Sequence, residues 1–163
     1  MSLEQDLAII NRQEEVLCFD AFSEETAWQM GSRLREAALK RKVSVEIEIV
    51  LGSWSVFACA MPGTSPNNAD WVRRKRNSVL HFHCSTYGLG RQLERDGDTL
   101  SAKYGLSASD YVAAGGGFPV RVRGTGVVGA IIVSGLPQRE DHKLVVSVLA
   151  EYLNVSQDGI RLD

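Results

Sequence analysis

Four groups of side chains in this 163-residue chain have types and spacings that could do chemistry. The first is a cation set in an apolar stripe. Residues 70–83 read "DWVRRKRNSVLHFH"; at about 100° per residue, Trp71, Val72, Val79 and Phe82 share one helical face and Lys75 falls in the middle of it. Arg74 lies beside the stripe, while Arg73 and Arg76 turn toward the polar side. Two readings of Lys75 stand level. Its stem can pack while the ammonium snorkels to water or to a carboxylate at the rim. Alternatively it is a cation placed at a ligand pocket or subunit interface, since a buried lysine requires a partner.

The second group is "HFHC", residues 81–84. On one helix His81 and Cys84 share a side while His83 points away from His81, and no CxxC pair accompanies them, so a zinc site would lack ligands and no metal residue is assigned. The third is Asp141-His142 near the start of the last helix. The helix dipole there disfavours imidazolium, and capping or interface work is the more common use of such a pair than catalysis. The fourth is Gly115-Gly116-Gly117 followed by Phe118-Pro119. These glycines enter a strand instead of opening a helix, so they do not form a phosphate cradle. A tight entry into the sheet explains them, and so does a wall for a flat ligand or a neighbouring subunit. Ser134 in "VSGLP" does not match a nucleophile elbow. No catalytic residue is assigned.

The elements that must position these groups follow from periodicity. A first amphipathic helix covers residues 1–15, and "VLCF" (16–19) is a short strand candidate. Ser23 caps a helix expected to turn Trp28, Met30, Leu34, Ala38 and Leu39 inward. "VSVEIEIV" (43–50) and "WSVFACA" (54–60) form a hairpin across Gly52-Ser53. Residues 61–68 read as a loop, 70–84 as the lysine helix, and the segment ending at Asp96-Gly97-Asp98 as its helical continuation. A short helix is expected near 107–114. "FPVRVR" and "VVGAIIVSG" make a second hairpin, whose return strand is apolar at nearly every position and therefore central. Residues 138–154 are the last helix. The sum is one α/β (α+β) domain spanning 1–163, an antiparallel sheet covered by helices on both faces.

The formal net charge of −2 favours neither nucleic acid nor an anionic membrane as partner. No apolar run is long enough to span a bilayer. The N-terminus lacks a signal peptide's basic start, and three cysteines argue for a reducing compartment. A cytoplasmic location is expected.

Three blocks carry a family resemblance: "MPGT" (61–64), "NADWVRRKRNSVLHFHCSTYGLG" (68–90) and "GGGFPVRVRGTGVVGAIIVSGLPQREDH" (115–142). They resemble the haem-degrading-domain family, GlcG-like or HbpS-like, and within it a stand-alone cytoplasmic branch. The resemblance runs from about residue 15 to residue 153. It implies a profilin-like fold, a symmetric homo-oligomer, and haem or a corrinoid-type molecule as candidate ligand, because some relatives bind such molecules. His83 and His142 are the histidines beside the matched motifs.

The leading expectation is a small-ligand-binding protein for a tetrapyrrole or another planar acid. Its pocket would use Trp71, Arg74, Lys75, His83, Gly115, Gly116, Gly117, Phe118, Asp141 and His142, with Arg74 and Lys75 meeting the ligand's carboxylates. The alternative is an assembly or adaptor module without a small ligand, in which Lys75 and Asp141 are interface pairs. A haem-degrading enzyme using an external reductant stands third.

Overall fold

The computed structural model describes residues 1–163. Its elements are α1 (Leu3–Val16), α2 (Glu24–Lys40), β1 (Glu46–Leu51), β2 (Trp54–Ala60), α3 (Pro66–Phe82), α4 (Thr86–Asp96), α5 (Leu100–Tyr104), β3 (Gly117–Val122), β4 (Gly126–Ser134) and α6 (Gln138–Tyr152). The four strands form one antiparallel sheet in the order β2-β1-β4-β3. As its two-sided apolar sequence predicts, β4 is interior, flanked by β1 and β3.

Alternation sorts the strand side chains between two cores. Ile47, Ile49, Ile131 and Val133 join Met30, Leu34, Leu144 and Leu149 in the larger core, under α2 and α6. Val50, Ala130 and Ile132 face the other way and meet Val72 and Val79 of α3. Helices therefore cover both faces, and α1 packs on α4 at the side. No helix is long and apolar enough to cross a membrane.

Caps explain where the helices begin. Ser2 and Ser23 each accept a hydrogen bond from the third helical amide, at Gln5 and Thr26. Ser65 starts α3 with Pro66 in the first turn, where a missing N–H costs nothing. That start corrects the expected loop over 61–68: prolines there punctuate a loop at Pro62 but open a helix at Pro66. Three further expectations fail. Residues 107–114 form a turn and irregular chain, and the short helix lies earlier, where Thr99 caps Leu100–Tyr104. Val16 completes α1, so "VLCF" contributes only an isolated bridge from Phe19 to Val122. Finally, Trp28 and Leu39 are exposed, at 62% and 50%, where helical spacing placed them inward. The apolar stripe of α2 is narrower than its composition, because Ala27, Met30, Gly31, Leu34 and Ala38 already fill the contact.

Candidate functional site

Lys75 is 3% exposed, and its position in the middle of the α3 stripe has a partner inside the same chain. Its Nζ donates to Asp141 Oδ2 at 2.9 Å and to the Val133 carbonyl oxygen at 3.0 Å. Asp141 in turn accepts from the amides of Leu136 (3.0 Å) and Gly135 (3.4 Å), so the carboxylate holds the β4–α6 turn. Burial pushes the Lys75 ammonium down and the Asp141 carboxyl up, each opposed by its partner. The pair joins α3 to α6 across the end of β4. Within the chain it is therefore an internal tie.

The glycines are the floor of that tie. Gly116 has φ +123°, and a Cβ there would run into the Val133 carbonyl and stand 2.7 Å from Lys75 Nζ. A Cβ on Gly115 would meet the carbonyl of Gln138, and one on Gly117 would lie 2.7 Å from Val79 Cγ2. All three glycines are buried, as are Phe118 and Pro119. Close backbone approach within the chain is thus what these positions require.

His142 is also closed off. Its Nε2 lies 2.8 Å from Gln13 Oε1, and its ring packs on Tyr87 and Phe118. Gln13 Nε2 donates to the Ile160 carbonyl, so the amide oxygen faces the histidine and must receive Nε2–H. Nδ1 is buried without a partner. Burial, with Arg139 close by, pushes the imidazole pKa down to about 3. The neutrality expected from the helix dipole is present, but desolvation is its larger cause. His83 sits at the other end of α3, exposed and in the left-handed region (φ 55°), where it ends the helix. Its neighbour Cys84 is not a nucleophile, since burial pushes the thiol up to about 12. Nowhere do three His, Cys, Asp or Glu side chains gather so as to hold a metal.

Arg74 is half-buried and borders a groove. Its guanidinium stacks on the Trp71 ring, with Cζ 4.2 Å from the centroid, and its Nε donates to Asp70 Oδ2 at 3.0 Å. The two Nη groups make no hydrogen bond within the chain. This stacked pair divides two depressions. On the Trp71 side is a cleft of about 250 Å³ reaching Lys75, Ser134, Gln138 and Asp141. On the Arg74 side is a groove of about 460 Å³, lined in part by Leu93, Leu100, Tyr111 and Val112 and in part by polar side chains that include Glu94 and Asp98.

Residues that sequence reasoning did not single out build the groove. Leu89 and Leu93 are four apart on α4 and pack with Leu100 of α5. The opposite wall is a turn and the irregular chain after it, held onto α3 by polar side chains. Arg73 reaches the Ser109 carbonyl (2.7 Å) and Asp110 Oδ1 (3.0 Å), Asn77 the Asp110 carbonyl (2.9 Å), and Ser78 Oγ accepts from the Val112 amide (3.0 Å). Arg73 and Arg74 together hold the Asp70 carboxyl below its usual range, chiefly through the Arg73 hydrogen bond. His81, exposed on α3, stacks edge-on against Tyr111 at 5.6 Å and so stands behind the groove wall. The leucine spacing and the Thr99 cap were the available signals for the groove.

Compared with known proteins, the chain matches the family described as "Haem degrading protein HbpS-like" over residues 22–150. It is similar to a UPF0303 protein of Rhizobium leguminosarum bv. trifolii, 50% identical over all of this chain and 98% of that one. A UPF0303 protein of Serratia proteamaculans is 49% identical over 98% of this chain and 99% of its own. Among solved structures, the Ybr137w protein superposes with a TM-score of 0.83 at 26% identity, covering 94% of this chain and 88% of that one. A complex of PduOC with haem gives a TM-score of 0.67 at 22% identity, covering 80% and 94%, a likeness of fold alone.

Proposed function

The chain belongs to the HbpS-like family of haem-degrading proteins, and from that premise we propose that it is a cytoplasmic, homo-oligomeric small-ligand-binding protein that takes haem or a related tetrapyrrole beside Arg74. The observation that carries this reading is the groove of about 460 Å³ with an apolar wall and, at its rim, a stacked arginine whose Nη groups are unengaged. Apolar side chains meet the face of a flat ring, and a guanidinium fork meets a peripheral carboxylate. The cleft on the Trp71 side, at about 250 Å³, is too small to enclose a ring of that size. The haem complex of PduOC supports a tetrapyrrole as the ligand class to test first.

Titration of the purified protein with haemin is expected to give a sharpened Soret band that saturates at a fixed ratio per subunit. Arg74→Ala weakens that binding by roughly 10- to 30-fold, the loss of one charge-assisted contact of about 1.5–2 kcal/mol. His81→Ala tests for an axial contribution through the position of the band. A featureless titration at micromolar haemin, with the protein folded, overturns the tetrapyrrole reading.

A further inference from the structure

The two edges of the sheet are treated differently. The outer edge of β3 is covered in part: the Phe19 amide donates to the Arg121 carbonyl, the Arg123 amide to the Phe19 carbonyl, and the Gly117 amide to Thr86 Oγ1. Pro119 and Arg121 also sit on that strand, both devices that blunt an edge. β2 has none of this on its regular half. Its backbone pairs only with β1, and its sequence "WSVFACA" carries no charge and no proline. The uncharged stretch is longer than the strand, because no residue between Glu48 and Asp70 is charged. In a chain with 38 charged residues (18 Lys and Arg plus 20 Asp and Glu), that is an unusual gap.

Large apolar side chains flank the same edge. Ile47, Ile49 and Leu51 pair with Cys59, Phe57 and Trp54, so those three β2 residues share the face covered by α2. Gly31 lets α2 sit directly on the Phe57 ring, and Trp28 packs edge-on against it at 5.8 Å. Trp28 and Trp54 nevertheless remain 62% exposed.

We infer that β2 pairs antiparallel with β2 of a second copy across a two-fold axis, with Trp28 and Trp54 of both copies closing over the seam. The inference rests on the homo-oligomer reading above and names its contact surface. In a two-fold contact residue i meets residue j and j meets i, and only residues beside the axis meet their own copies, so a charge near the middle of the strand would face a like charge. A seam without charges over its whole length suits a copy of itself better than a partner chosen by charge. The irregularity in β2 falls at Val56, leaving Phe57–Ala60 as a regular stretch for the new ladder. Four exposed tryptophans, two from each copy, would supply roughly 600 Å² of the ~1,600 Å² that a standard interface buries, and the two strands add the rest.

The experiment is the native mass of the full chain, wild type against Ala58→Lys and Ser55→Lys, two exposed positions on the strand. The expected result is an oligomer whose mass falls to half or less in Ala58→Lys, and whose self-association weakens at least tenfold in Ser55→Lys, with unchanged circular dichroism. Amide exchange of residues 54–60 in the wild type gives an answer without any substitution: outward amides of Phe57–Ala60 are protected if the strand is paired. A wild-type monomer at micromolar concentration overturns this contact and the homo-oligomer reading together. An oligomer that neither lysine disturbs and whose edge amides exchange freely overturns the contact alone, and haemin binding to that oligomer leaves the ligand reading standing.

Discussion

Lys75→Ala loses about 3–5 kcal/mol of folding stability, seen as a fall in Tm on the order of 10 °C. The substitution deletes the ammonium that answers Asp141 and leaves a carboxylate 2% exposed with only two backbone amides as partners. Asp141→Asn alone costs less, because the amide oxygen still serves the Leu136 N–H while Lys75 keeps the Val133 carbonyl. The informative variant is Lys75→Met with Asp141→Asn. Burial pushes both members of the pair toward their neutral forms, which says that desolvation outweighs much of their attraction. Removing both charges should therefore bring stability back to within about 2 kcal/mol of wild type, far better than Lys75→Ala. Denaturant melts of the three variants read this directly. If Lys75→Ala costs under about 1 kcal/mol, the tie between α3 and α6 is not a buried one.

The pair also shows how far the residues could be read without coordinates. Helical spacing put Lys75 in the apolar stripe, and burial confirms it. What spacing could not supply was the partner, because Asp141 is 66 residues away and reaches Lys75 only when β4 brings the first turn of α6 to the end of the sheet beside α3. Strands were legible for a related reason. "VSVEIEIV" and "GVVGAIIVSG" declare one-sided and two-sided burial by period alone, and their places in the order β2-β1-β4-β3 agree. The groove was not legible. Its far wall is a turn and the irregular chain after it, over residues 108–113, which has no period of its own and is held by Arg73, Asn77 and Ser78 through backbone contacts. Side-chain-to-backbone bonds of that kind leave little pattern in a sequence. The same limit applies to Trp28, where composition said inside and the space beneath the helix, already filled by Met30 and Leu34, said outside.

Acid should expose the cost of His142 before it reaches most carboxylates. The imidazole is fully enclosed, with Nε2 given to Gln13 and Nδ1 given to nothing. Its folded pKa lies near 3 against about 6.5 in an unfolded chain, so the unfolded state binds the proton first. The stabilising contribution is thus complete above about pH 6.5 and is lost steadily as pH falls from there toward 3. At about 1.4 kcal/mol per unit, the full interval amounts to roughly 5 kcal/mol, of which about half is gone by pH 4.5. Other groups overlap only in part. Asp6 is raised by burial but held below its usual range by Arg139 and Arg91, so its contribution fades only below about pH 4. Glu14, Glu46 and Asp141, whose pKa values burial raises, work in the opposite direction and soften the total slope. The clean measurement is therefore a difference: stability of wild type and His142→Gln from pH 7 to pH 4.5. Glutamine keeps a donor for Gln13 and removes the titration, so wild type should lose about 2–3 kcal/mol more than the variant over that range. Equal slopes would mean that His142 takes up its proton in the folded state, and that the ring is open to solvent or to an acceptor at Nδ1.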